Sequence, residues 1–151
     1  MFSPIVAGVA LAYASAVIHA LGLLTLLYWQ SQQWPKIEAD FRPRRNLLVV
    51  SALFGVILLL HLIEIGLWAG FYFWHHCLSD LETSLYFSGA TYATLGHGDV
   101  VLPTYWRLTG DLESLTGVLL LGWSAAFFFT IVNRFFDLRI RRWRHGDNGD
   151  E

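Results

Sequence analysis

The sequence predicts an all-α membrane protein: three helices cross the bilayer, and one short helix enters it and turns back. Three observations predict this. Of 151 residues, 55% are apolar and 16% aromatic, with mean hydropathy +0.47, which suits lipid better than water as the solvent. Three apolar stretches each reach the roughly 20 residues that a crossing needs. The basic residues, Arg107 apart, fall into two clusters: Lys36, Arg42, Arg44 and Arg45, then Arg134, Arg139, Arg141, Arg142 and Arg144.

The first stretch runs from about Pro4 to Trp29. No basic residue precedes Lys36, whereas a secretory signal carries a positive leading region, so it is expected to be a retained helix. Gly8, Ala12, Ala16 and Ala20 recur every fourth residue, a stripe expected to pack closely against the second helix. The second stretch runs from about Leu47 to Trp74 and the third from about Trp106 to Phe136. Three crossings put both basic clusters on one side, which the positive-inside rule makes cytoplasmic. The N-terminus then lies outside, as does the segment 75–105, and the C-terminus is cytoplasmic. The expected divisions are an N-terminal helix (1–33), a cytoplasmic linker (34–46), a central domain (47–137) and a cytoplasmic tail (138–151). With one cysteine, Cys77, no intrachain disulfide is available. The net charge of −2 says nothing about a partner, and no nucleic acid is expected.

"SDLETSLYFSGATYA" is too short to cross. Ser79 and Glu82 have capping-box spacing, so a half-length helix is expected, running straight into "TLGHGD". Irregular backbone at membrane depth is tolerated only when buried in protein or lining a water-filled path. Gly96 and Gly98 accept positive φ readily. Their carbonyls could then share a direction, and a ring of such carbonyls replaces the water shell of a cation. The C-terminal, partly negative end of the short helix favours a cation at the same place.

The order of outer helix, short helix, "TLGHGD" and inner helix resembles the pore domain of potassium channels, whose usual filter reads TVGYGD. The longer stretch from "LETSLYFSGATYA" into "LLLGWSAAFFF" is similar to the small bacterial two-pore-domain-like ion channel family. The resemblance covers roughly residues 47–136. It implies a passive, potassium-selective channel with a selectivity-filter loop, built as a homotetramer in the cell membrane. Residues 47–137 would then be the pore domain, with the N-terminal helix on the perimeter. It implies that Thr94, Leu95, Gly96 and His97 bind the permeant monovalent cation through carbonyls, and that Gly98 and Asp99 close the outer mouth. Potassium ions in the filter would be the only ligand, with no cofactor and no other metal. Two positions depart from the pattern: Leu95 replaces Val, and His97 replaces the Tyr that braces the filter in the family. A weakly selective or non-conducting pore is the alternative that His97 leaves open.

Ionisable groups in spans are rare and usually functional. His61, Glu64 and Glu113 lie at the depth of the short helix and are expected to support the filter from behind, with Tyr92 and with His97 as a partner. His19 is expected to be a packed or hydrogen-bonded residue. In some members of the family an acidic residue late in the pore helix pairs with the filter Asp. That position here is Ala90, which leaves the task to Glu64 or Glu113. Gly117 and Gly122 are candidate hinges, and Phe128 and Phe129 a candidate gate. Nothing pairs a nucleophile with a base, so no enzyme is expected. A different class remains as a rival, an intramembrane metal-binding or redox subunit using His61, Glu64, His75, His76 and Cys77.

Overall fold

The computed structural model describes residues 2–39 and 43–146. Four α-helices follow in order: α1 (Phe2–Ala39), α2 (Pro43–Trp74), α3 (Leu81–Tyr92) and α4 (Arg107–Gly146), with one 3-10 turn at Thr104–Trp106. There is no strand among the described residues. Helices α1, α2 and α4 contain apolar spans at Ser3–Pro35, Arg44–Trp74 and Thr104–Arg141. A helix closes its backbone hydrogen bonds internally, which lipid requires of a crossing segment.

The helices run beyond the expected spans. Helix α1 continues to Ala39 through Pro35, so most of the stretch expected as a linker is helical. The cause is packing. Trp34 and Ile37 are buried with Val49, Leu53, Ile131 and Phe135 at the end of the bundle where α1 leads into α2. The Arg134 guanidinium lies 3.9 Å from the centre of the Trp34 ring, a cation–π contact between α4 and α1. Residues 40–42, including Arg42, lie outside the described residues, as do residues 147–151 of the expected tail.

Helix α1 fills the groove between α2 and α4. This changes the reading of its small residues. Gly8 meets Leu112 of α4, not α2, and it is Gly22 that admits Leu60 of α2. Polar groups tie both contacts. Thr109 Oγ1 donates to the Pro4 carbonyl at 3.2 Å, and Trp68 Nε1 donates to Ser15 Oγ at 3.1 Å.

Helix α3 begins one residue later than the capping-box reading places it. Asp80, not Ser79, is the N-cap, accepting from the Thr83 amide at 2.7 Å, while Ser79 Oγ donates to the Asp80 carboxylate at 2.6 Å. A carboxylate at a helix N-terminus satisfies an orphan amide and also faces the positive end of the dipole. At its other end α3 sits deep. Tyr92 is buried, and its carbonyl lies against Gly117 of α4. Gly117 is ten residues into α4, so the end of α3 lies about 15 Å below the outer end of that helix. That is roughly half of a ~30 Å hydrocarbon core, which makes α3 re-entrant.

Gly117 is therefore a site of close approach. A Cβ there would lie 2.1 Å from the Tyr92 carbonyl oxygen, and backbone on both sides cannot rotate away. A Cβ at Gly122 meets nothing within 4 Å. Gly117→Ala is expected to destabilise the fold by at least the ~1–3 kcal/mol typical of overpacking. Gly122→Ala should leave stability unchanged or slightly raised, because alanine is the better helix former. Thermal unfolding of the two variants in detergent checks this; equal melting temperatures would contradict the close approach.

Candidate functional site

The loop after α3 departs from ordinary backbone in a regular way. Thr94 has φ +59°, Gly96 +56° and Gly98 +81°, while Leu95 and His97 keep negative φ. Reversing the sign of φ at every second residue turns every second peptide plane over, so successive carbonyls can face one side rather than alternate. The glycines accept this conformation at little cost. Thr94 does not: a β-branched residue at positive φ is strained, and such strain clusters at ligand-holding sites. The Leu95 and Gly96 amides bond back to the Ala90 carbonyl at 2.8 and 3.3 Å, which seats the loop on the end of α3. Residues 93–99 are exposed along their length, and Leu95 is 65% exposed.

Two buried carboxylates hold α3 from behind. Glu64 of α2 accepts a hydrogen bond from the Tyr92 hydroxyl, and His61 Nδ1 lies 3.0 Å from the same hydroxyl. Glu113 of α4 accepts from the Ser88 hydroxyl at 2.5 Å and from the Tyr72 hydroxyl at 2.7 Å. Ser114 Oγ adds a bond to the Thr91 carbonyl at 2.9 Å. Both carboxylates are fully buried, and an unpaired buried carboxylate would be very costly, so their hydroxyl partners are integral to the fold. The structure thus brings His61, Glu64, Glu113 and Tyr92 together around the C-terminal half of α3.

His19, expected to be packed or hydrogen-bonded, is hydrogen-bonded and belongs to this cluster. Its Nδ1 lies 2.8 Å from Glu64 Oε1 and its Nε2 lies 3.0 Å from Ser124 Oγ, so α1 is tied to both α2 and α4. The rule that marks His61, an ionisable group within a span, applies equally to His19. Ser88, Tyr72 and Ser124 carried no such signal, because hydroxyl residues are common in membrane helices.

His97 is not a partner of this network. Its ring stacks on Tyr86, with centroids 5.8 Å apart and planes 11° from parallel. The Tyr86 hydroxyl donates to Asp99 at 2.9 Å. Asp99 is therefore held by Tyr86, one turn before Ala90, and not by Glu64 or Glu113, whose hydrogen bonds go to buried hydroxyls and, for Glu64, to His19. In the lower half of α4, Phe128 packs edge-on against Phe54 of α2, whereas Phe129 is exposed. Of the two candidate gate rings, only Phe129 presents a free face in the single chain.

The rival metal set is divided. His75 packs on Phe71 and Trp106, away from His61 and Glu64. Burial pushes the Cys77 thiol pKa up, which disfavours the thiolate that binds metals.

Compared with known protein families, residues 47–134, more than half of the chain, match the family described as "Ion channel". Neither the curated proteins nor the solved structures give a match.

The Tyr86 bond holds the Asp99 carboxyl below the usual carboxylate range. A depressed pKa means that the charge and the bond persist above the ordinary value and are lost only as pH falls through the lowered one. Tyr86→Phe is expected to move the Asp99 titration upward, so that Asp99 protonates at a higher pH than in the wild type. Carboxyl-carbon NMR titration reads this directly, and an unmoved midpoint would mean that Tyr86 does not hold Asp99.

Proposed function

The chain belongs to the ion channel family, a group of passive ion conductors in membranes, and from that premise we propose that it is a homotetrameric potassium channel of the cell membrane, with residues 94–98 as the filter. The observation that carries this reading is the alternation of φ at Thr94, Gly96 and Gly98, seated on the deep end of a re-entrant helix. Aligned carbonyls suit a dehydrated monovalent cation, and the C-terminal end of α3 adds favourable negative potential.

The single chain leaves residues 93–99 uncovered. Irregular backbone at that depth requires cover by protein or by a water-filled path, and closed rotational symmetry supplies both. The count of four rests on the resemblance to potassium channel pores. The cytoplasmic side is the one carrying the two basic clusters.

A weakly selective pore is the second reading, favoured by one observation. His97 is exposed and engages Tyr86 by stacking alone, with no hydrogen bond tying its ring to α3. A stack resists sideways displacement less than a directional bond does, so the width at His97 is less firmly held.

Gly96→Ala is expected to abolish potassium flux in liposomes while preserving assembly, because a Cβ opposes the positive φ. Wild-type flux in that variant would remove residues 94–98 from the filter. The two selectivity readings separate on the reversal potential in mixed potassium and sodium. His97→Tyr should raise potassium preference where the wild type is weakly selective, and an unchanged reversal potential would mean that His97 does not set the width.

A further inference from the structure

We propose that His19, His61, Glu64 and Tyr92 form an intramembrane binding site for a borderline divalent cation, with zinc the best fit, joining α1, α2 and α3. Donor atoms of His19, His61 and Glu64 all lie within 4.8 Å of one another, and all three residues are buried. The Glu64 carboxylate lies 2.8 Å from His19 Nδ1 and 3.3 Å from His61 Nδ1. The Tyr92 hydroxyl touches both His61 Nδ1 and Glu64 and supplies a fourth oxygen donor. Two imidazole nitrogens and two oxygens are a donor set that zinc accepts in tetrahedral geometry, whereas potassium prefers oxygen alone.

Three further features fit a metal rather than only a hydrogen-bonded cluster. The second nitrogen of His19 meets Ser124 Oγ at 3.0 Å, the outer contact that fixes the tautomer of a ligating histidine. Among the described residues His61 Nε2 has no hydrogen-bond partner, so the contacts to Tyr92 and Glu64 at its other nitrogen position the ring. Charge also balances. A divalent ion with the Glu64 carboxylate and the Tyr92 phenolate sums to zero, so the loaded site buries no net charge. Binding releases the Tyr92 proton and the hydrogen lying between His19 and Glu64, and His61 passes its Nδ1 hydrogen to Nε2, so that both imidazoles ligate as neutral rings. A largely apolar cavity of about 290 Å³ between α2 and α4 borders the cluster at His61 and Ser124.

The consequence concerns α3. Tyr92 precedes Thr94 by two residues, so an ion drawing Tyr92 toward α1 and α2 would fix the inner end of the loop.

The test is zinc binding by the full chain in lipid nanodiscs, measured by competition with a chromophoric chelator and by X-ray absorption at the zinc edge. The expected result is about one zinc per chain, with nitrogen and oxygen neighbours at about 2.0–2.1 Å, histidine scattering and no sulfur. His19→Gln and His61→Gln should each weaken binding by at least the ~10-fold that an outer-shell change already costs. The His75→Ala/His76→Ala double variant should bind as the wild type does. Zinc that fails to bind, or that is lost with His75 and His76 but not with His19 and His61, overturns the site. If the His19 and His61 variants fail to fold, the wild-type spectrum decides. A sulfur shell, or one without histidine, overturns the site as well.

Discussion

A polar, irregular loop held in the middle of a hydrocarbon layer is the constraint on which the other features depend. Helix α3 is only 12 residues long and could not stay at that depth by its own hydrogen bonds. It is held from α2 by Glu64 through Tyr92, and from α4 by Glu113 through Ser88. Each buried carboxylate is tolerable because its oxygens have partners, hydroxyls at Glu113 and the Tyr92 hydroxyl with the His19 and His61 rings at Glu64, and those partners are fixed in turn by the carboxylate. Gly117 lets α4 come close enough for the Tyr92 carbonyl to rest against it. The strained Thr94 persists because this frame over-determines the end of α3.

Depth separates the parts. The end where α1 turns into α2 is an apolar cluster built from α1, α2 and α4 around Trp34 and Leu53. The middle is polar and buried, and it carries the bracing of α3. The opposite end is aromatic, with Trp68, Tyr72 and Leu102 packed beneath the connection to α4. Helix α1 takes part at every level. Through His19 it reaches the carboxylate that holds α3, so the N-terminal helix is mechanically continuous with the candidate filter rather than a detached anchor.

The spans were legible because lipid makes hydropathy decisive, and the loop because T-x-G-x-G-D combines glycines with a fixed position after a short helix. The positive φ at Gly96 and Gly98 is one that their residue type accepts readily. That at Thr94 is not, since nothing local favours it. Glu64 and Glu113 were legible as charges at a definite depth, but their partners were not, because a hydroxyl carries no periodic signal. The small-residue stripe named the right kind of contact and the wrong neighbour for Gly8. Spacing shows that one face of a helix is small but not which helix will lie against it. Likewise Tyr86 took the Asp99 contact expected of Glu64 or Glu113, because reach across a loop depends on backbone curvature that spacing does not contain.

The most direct measurement is a cryo-electron microscopy structure of the full chain in lipid nanodiscs, recorded in potassium and again in sodium. A filter made from residues 94–98 predicts four chains around one axis. The carbonyls of Thr94, Leu95, Gly96 and His97 should face that axis, with density between them in potassium. Chains assembled with this loop facing lipid, or a closed ring whose axis is lined by other residues, would contradict it.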